Sequence, residues 1–540
     1  MPASVAQGVV QGVDLLAIAP PLWLALAAIA ILIADPFLRR RRPLDYASLA
    51  SVLVGLGFVV ALAVGQDRRT FCVPPGLARG GPAPCSYVVD DFTLLFQGLV
   101  LLAAVVVLLM ATPEVHASRL PPGEFHFLLL ASVTGALTLA ASRDLISLVV
   151  SLEVVSLPVF ALTALRRYDG RASEAGLKMF LVSVVSTAVM LFGISLVYGV
   201  TGAVHLERIA LVLADAAVPQ TIEATVGPAR PLVGAVGIML VLAGFGFKVA
   251  AVPFHFWAPD TYQGAPLPVA AFLSVVSKAA GFAGLVLVLV VGFWPYGGAW
   301  GPLLAVIAAV TMSLGNLVAL RQRHAVRLLA WSSIAQSGYM LAPLGAALTV
   351  AGGGAGGDAG AAPVLRDAAV FLDAAGATVA YVAIYAAMNL GAFAVVAAVA
   401  RHRPRNNLED YRGLARTNPL LGVALAFFLA CLAGLPPGLA GLFAKIVVFR
   451  AAVSGSLSWL AIVMAINTAI GLYYYLAWAG LAFAGRRERD EVWRPVGVED
   501  TPVPPTVGIA IGVAAAATIV ISVAPELVLH VTPLAVAATG

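Results

Sequence analysis

Charge is scarce in this chain, and lysine is scarcer still. Asp, Glu, Lys and Arg make up only 11% of 540 residues, less than half the share usual in soluble domains. With 61% hydrophobic residues and a mean hydropathy of +0.97, a water-soluble fold of this size is excluded, and a polytopic membrane protein is what remains. Cysteine is nearly absent too, at three residues. No C-x-x-C, paired-histidine spacing, Walker A loop or dinucleotide fingerprint occurs in a supporting context, so the chain is expected to hold no metal, nucleotide or redox cofactor of its own. A basic n-region with a cleavage site is also missing, so no removable signal peptide is expected.

What is present is a succession of apolar runs, each long enough to cross a hydrocarbon core of about 30 Å as a helix. Fourteen centre on residues 15–37, 44–65, 90–111, 123–141, 143–165, 174–199, 231–253, 268–293, 300–320, 325–349, 371–400, 418–450, 456–484 and 505–530. An all-α polytopic membrane fold follows. The run at 418–450 is too long for one straight helix and carries "GLPPG" at 434–438. Most arginines fall in loops after odd-numbered helices, such as "RRRR" at 39–42, "RRYDGR" at 166–171, "RQRHAVR" at 321–327, 401–416 and "RRERDEVWR" at 486–494. The positive-inside rule then puts those loops in the cytoplasm and both termini outside. The pI near 9.2 reflects this topology and does not point to nucleic acid. Cys72 and Cys85 share a loop on the outer side, where an oxidising compartment permits a disulfide, and Cys431 reads as buried packing.

The basic residues comprise 28 arginines and four lysines: Lys178, Lys248, Lys278 and Lys445. Every loop cation is an arginine, whereas all four lysines lie in apolar segments. Chemistry supplies a reason. A guanidinium stays charged under any protein condition, but an ammonium in low dielectric can give up its proton. Lysine is the cation that switches. Lys278, deep in helix eight, and Lys248 and Lys445, near helix breaks, are therefore candidate groups of a proton path. Lys178 reads equally well as a side chain snorkelling to the interface. Glu153, in "SLEVVSLPVFAL", is mid-helix and of complementary sign, with Lys248 a candidate partner. Asp144 is explained as well by helix capping.

"GFGFK" at 244–248 and "GLFAK" at 441–445 both read Gly-x-x-x-Lys and lie in helices seven and twelve. Five helices separate them, and an odd offset makes the two segments antiparallel. An inverted repeat, helices 4–8 against 9–13 with broken helices 7 and 12, is the expectation. The corresponding division is an N-terminal three-helix segment at 1–112, a first repeat at 120–293, a second at 299–484 and a C-terminal helix at 503–540. A broken helix frees backbone groups that hold water at membrane depth. His255, two residues past Pro253, is either an extension of the relay or a packed side chain at a helix end.

"EAGLKMFLVSVVSTAVMLFG", "GFGFKVAAVPFHFWAPDTYQGAP", "LSVVSKAAGF", "RLLAWSSIAQSGYML" and "LAGLPPGLAGLFAKIVVF" resemble the antiporter-like membrane subunits of respiratory complex I and of multisubunit sodium/proton antiporters. The resemblance covers about residues 120–450 and is greatest to the N-type subunit of NADH–quinone oxidoreductase, because Lys445 stands where the M type carries a glutamate and the chain ends soon after helix fourteen. It implies Glu153 paired with Lys248, Lys278 as central relay and Lys445 as terminal group. It further implies partner subunits, antiporter-like and small, in a bacterial inner membrane, with NADH, FMN, iron–sulfur clusters and quinone in those partners. Two positions depart from the family pattern. Gln336 replaces a frequent histidine and cannot titrate, so a relay through helix ten must use water or another group, and Val326 replaces a lysine. A sodium/proton exchanger subunit and a scaffold whose charges fix helix register are the rival readings.

Overall fold

The computed structural model describes residues 11–74, 83–118, 120–166, 168–214, 230–347, 361–485 and 502–532. The termini at 1–10 and 533–540 and the arginine segment at 486–494 lie outside the described residues. In chain order the membrane helices are α1 (Ala19–Ala34), α2 (Arg42–Ala63), α3 (Asp91–Ala117), α4 (Pro122–Ala141), α5 (Leu145–Thr163) and α6 (Gly170–Thr201). Then come α7a (Arg230–Lys248) with α7b (Trp257–Gly264), α8 (Leu267–Gly292), α9 (Gly297–Ala319), α10 (Ala325–Leu341) and α11 (Ala361–Ala400). The series closes with α12a (Pro419–Ala433), α12b (Leu439–Ser454), α13 (Ser458–Phe483) and α14 (Pro505–Val523). Among the described residues, 12 helices are long and apolar enough to cross a membrane. The two further expected crossings are α10, at 17 residues, and the divided α12, at 15 and 16.

Side-chain caps set several helix starts. Asp90, Asp144, Asp169 and Asn418 each accept a hydrogen bond from a backbone N–H in the first turn of α3, α5, α6 and α12a, satisfying donors that a helix start leaves free. Asp144 is thus a cap. Between α2 and α3 a two-stranded antiparallel hairpin, β1 (Arg68–Cys72) and β2 (Cys85–Val89), is closed by the Cys72–Cys85 disulfide. At the opposite end of these helices Asp45 accepts from His116 at 2.7 Å and from the fully buried His126 at 2.8 Å, tying α2, α3 and α4 together.

Both expected breaks are present. α7a stops at Lys248 and the chain turns through Ala250 (φ 57°) and Pro253 before α7b begins. α12a ends on Gly434 in the left-handed region (φ 81°), a conformation glycine adopts without steric penalty, and Pro436 and Pro437 cannot donate the N–H bonds that continuation would need. The two Gly-x-x-x-Lys glycines have one job each, close approach. A Cβ on Gly244 would sit 2.5 Å from Met190 Cβ, and one on Gly441 only 1.6 Å from the Cys431 carbonyl oxygen.

The middle of the bundle is α8, buried along its whole apolar window, whereas only 28% of the α6 window is buried. That difference puts Lys278 in the protein centre and leaves α6 at the periphery. α4 packs on α5 and α6 on α7a, and five helices later α9 packs on α10 and α11 on both halves of α12.

Candidate functional site

Lys248, Lys278 and Lys445 are 3%, 3% and 6% exposed, values that for an ammonium in a membrane helix demand partners. Each has one. At the break after α7a, Lys248 Nζ donates to Ser156 Oγ on α5 at 2.5 Å. Glu153, one turn away on α5, accepts instead from Thr187 Oγ1 on α6 at 2.6 Å. No direct Glu153–Lys248 ion pair is formed; each group is hydrogen-bonded to a hydroxyl of its own. Glu153 is half-buried and lies on an outward face beside the exposed Val150, Val154 and Leu157.

Lys278 follows a π-helical turn, Leu273–Ser277, inside α8; such turns are frequent at functional sites. Its Nζ donates to both the hydroxyl and the carbonyl oxygen of Ser333 at 2.6 Å. The Tyr385 ring lies beneath it at 5.7 Å, and Tyr385 also donates to Ser333 Oγ at 2.8 Å. Lys445, seven residues into α12b, reaches back across the break to the Ala433 carbonyl at 2.6 Å. That carbonyl is free because α12a ends there. The Tyr339 ring lies 5.5 Å from the same amine, and an outer cleft of about 500 Å³ bounded by Leu442, Ile446, Phe449 and Arg450 reaches Lys445.

Lys178 is placed differently. It pairs with Glu174 at 2.7 Å and Asp260 at 3.1 Å, and Asp260 also takes Arg327 at 2.8 Å. With its side chain 47% exposed, Lys178 belongs to a surface ion-pair cluster on the arginine-rich side and is not in line with the other three. His255 lies in the turn between α7a and α7b with its ring 5.5 Å from that of Trp331 and Nδ1 buried without a partner. The immediate partners of the amines, Ser156, Ser333 and Tyr385, and that of the carboxylate, Thr187, were not singled out in the sequence. Their signal is hydroxyl residues recurring at four-residue spacing in otherwise apolar helices, as Ser183 and Thr187 do in α6 and Ser333 and Ser337 in α10.

Residues 142–355 and 367–471 match the family described as NADH:quinone oxidoreductase/Mrp antiporter, transmembrane. The chain belongs to that family. A member named NADH-quinone oxidoreductase subunit N 2, from Streptomyces griseus subsp. griseus, is 52% identical over 488 residues, 89% of this chain and 85% of the relative. A chain in the structure of respiratory complex I from Thermus thermophilus is similar with a TM-score of 0.67 at 30% identity, covering 95% of this chain and 98% of that one. A chain of the Mrp complex from Dietzia sp. shares the fold, with a TM-score of 0.76 at 20% identity over 97% of each. Within the NADH:quinone oxidoreductase/Mrp antiporter family, the described chain thus has the antiporter-like helical bundle, and all three buried amines fall inside the matched residues.

Proposed function

We propose that this chain is the N-type membrane subunit of an NADH–quinone oxidoreductase and that it translocates protons through Glu153, Lys248, Lys278 and Lys445. The observation that carries the reading is three amines in three membrane helices, two of them broken, each nearly dry yet each resting on a hydroxyl or a freed carbonyl. Such a site holds a proton without trapping it. The charge of Glu153, on an outward face, is open to a neighbouring subunit. Displacing a unit charge there by a few ångströms changes neighbouring energies by a few kcal/mol at an effective dielectric of about 20, enough to move a proton from Lys248 towards Lys278 and Lys445.

In this reading the enzyme is the assembly, an oxidoreductase coupled to proton translocation, and this chain supplies only the proton step. NADH, FMN, iron–sulfur clusters and quinone belong to partner subunits. The membrane is the bacterial inner membrane, with the arginine-rich loops in the cytoplasm and the termini outside. Lys178, with Asp260 and Arg327, and His255 lie on the arginine-rich side and form the approach to Lys248. The similar pairings of α4–α7a and α9–α12b support two inverted halves, 4–8 and 9–13. The sodium/proton exchanger reading shares the family description, but the relatives of highest identity carry the oxidoreductase name.

The test is NADH-driven proton uptake by membrane vesicles carrying Lys278→Met or Lys278→Arg. Both variants should assemble and lose pumping, the arginine because it holds its proton permanently. Native pumping by both would sink the proposal.

A further inference from the structure

Asn389 on α11 is 0% exposed, and its Oδ1 has no hydrogen-bond partner among the described residues. Its Nδ2 donates to Ser274 Oγ on α8 at 2.8 Å. The amide is fixed that way round, because the Ser274 hydroxyl gives its own proton to the Ala271 carbonyl at 2.8 Å and can only accept from Asn389. The orphaned oxygen is therefore the atom turned away from Ser274. A staple between α8 and α11 uses the nitrogen alone, and a buried acceptor stripped of water with no donor in its place works against such a staple.

A donor stands in the complementary position. Lys278 follows Ser274 by four residues on α8, and Tyr385 precedes Asn389 by four on α11. The contacts Ser274–Asn389 and Lys278–Tyr385 are thus successive rungs of one antiparallel pair of helices. A long side chain on a helix points back toward the N-terminus, over the residue three or four positions earlier, so the Lys278 stem leans toward the Ser274–Asn389 rung. An ammonium carries three donors. In the structure both hydrogen-bond acceptors of Lys278 Nζ belong to one residue, Ser333 on α10, each at 2.6 Å.

We infer that Asn389 is a second acceptor for the Lys278 ammonium, which has two seats about one helical turn apart: Ser333 on α10, occupied in this structure, and Asn389 Oδ1 on α11. This deepens the lysine reading above and rests on it. Rotation about the bonds of the flexible four-carbon stem carries the amine from one seat to the other, a displacement on the order of one 5.4 Å pitch. No covalent bond is made or broken in the move. Asn389 itself gains and loses no proton; its oxygen only accepts, so this seat holds the amine best when it is charged. The Asn389 seat is the nearer of the two to the end of α8 that follows α7b, where Asp260 holds Lys178 and Arg327. An amine that changes seats faces two sides in turn, with no continuous channel running past it.

The test compares Asn389→Leu, Asn389→Asp, Ser274→Ala and Lys278→Met in the assembled complex, reading NADH-driven proton uptake across pH and thermal unfolding. Asn389→Leu, which removes the oxygen, should lose about ten-fold or more of the pumping that Lys278→Met abolishes. Ser274→Ala, which removes the staple and keeps the oxygen, should pump normally. Asn389→Asp keeps an acceptor and adds a charge that holds the proton on the amine, so the alkaline fall-off of pumping should move up by about one pH unit or more. Equal losses in Asn389→Leu and Ser274→Ala, or native pumping in Asn389→Leu beside a dead Lys278→Met, overturn the second seat and leave the lysine reading standing. Native pumping in Lys278→Met overturns both. If Asn389→Leu does not assemble, Asn389→Asp decides, and an alkaline fall-off in its native place overturns the second seat.

Discussion

Glu153 and Lys248 are within electrostatic reach but do not touch: the amine donates to Ser156 at 2.5 Å and the carboxylate accepts from Thr187 at 2.6 Å. A buried ion pair in direct contact is hard to open. Two hydroxyl spacers leave this one half-open, a state from which either charge can be shifted.

Removing a spacer should therefore close the pair. In Ser156→Ala the ammonium loses its partner and turns to Glu153. Pumping is expected to fall about ten-fold, equivalent to roughly 1.4 kcal/mol, close to the lower end of what a hydrogen bond to a charged group contributes. Ser156→Thr, which keeps the hydroxyl, should pump normally. Vesicle assays on the two variants decide it, and equal activity would remove the spacer role.

Gly441 tests the close approach behind the α12 break. Alanine there puts a methyl against the Cys431 carbonyl, and since that oxygen is backbone the helices must move apart. A loss of about 3 kcal/mol or more is expected, read as a lower yield and unfolding temperature of the complex. Gly57→Ala is the control, because its Cβ would meet nothing within 4 Å and helix propensity alone should stabilise it slightly.

Arg143 and Asp90 form an ion pair at 2.6 Å with side chains 4% and 2% exposed. Arg143→Leu strands a buried carboxylate and should cost about 3–5 kcal/mol, whereas Arg143→Leu with Asp90→Asn should recover most of it. Chemical denaturation of the two variants distinguishes these outcomes.

His324, in the loop before α10, has its imidazole held below the ordinary histidine range, first by burial and then by the Arg327 charge, with Asp410 opposing and Arg171 adding. The unfolded chain takes up this proton near pH 6.5 and the folded chain resists it. Stability from this residue is thus complete above about pH 6.5 and is lost as pH falls below it. The unfolding temperature should drop between about pH 7.5 and 5.5, and His324→Gln should flatten that slope.

The helices, the two breaks and the three deep amines were legible in the sequence because each is a local property: an apolar run of sufficient length, one or two prolines, an ammonium with no charged neighbours in the chain. The partners were not. Ser156 lies on α5 and Lys248 on α7a, 92 residues apart, and Ser333 lies 55 residues beyond Lys278. An isolated serine in a membrane helix is unremarkable until packing sets an amine against it. Lys178 shows the converse, since its place near a helix end fitted two roles and only Asp260, brought up by α7b, made it part of a surface cluster.

The sequence by itself determined that this chain lives in a membrane, where its helices run and which cations can release a proton, because hydropathy, backbone chemistry and side-chain acidity are carried by individual residues and short runs. Tertiary structure alone decided that Glu153 and Lys248 stay apart, that Lys445 caps the broken end of α12a, and that Lys278 rests on Ser333 above the Tyr385 ring. Those are distances between helices remote in the chain, and close packing of one bundle is what sets them.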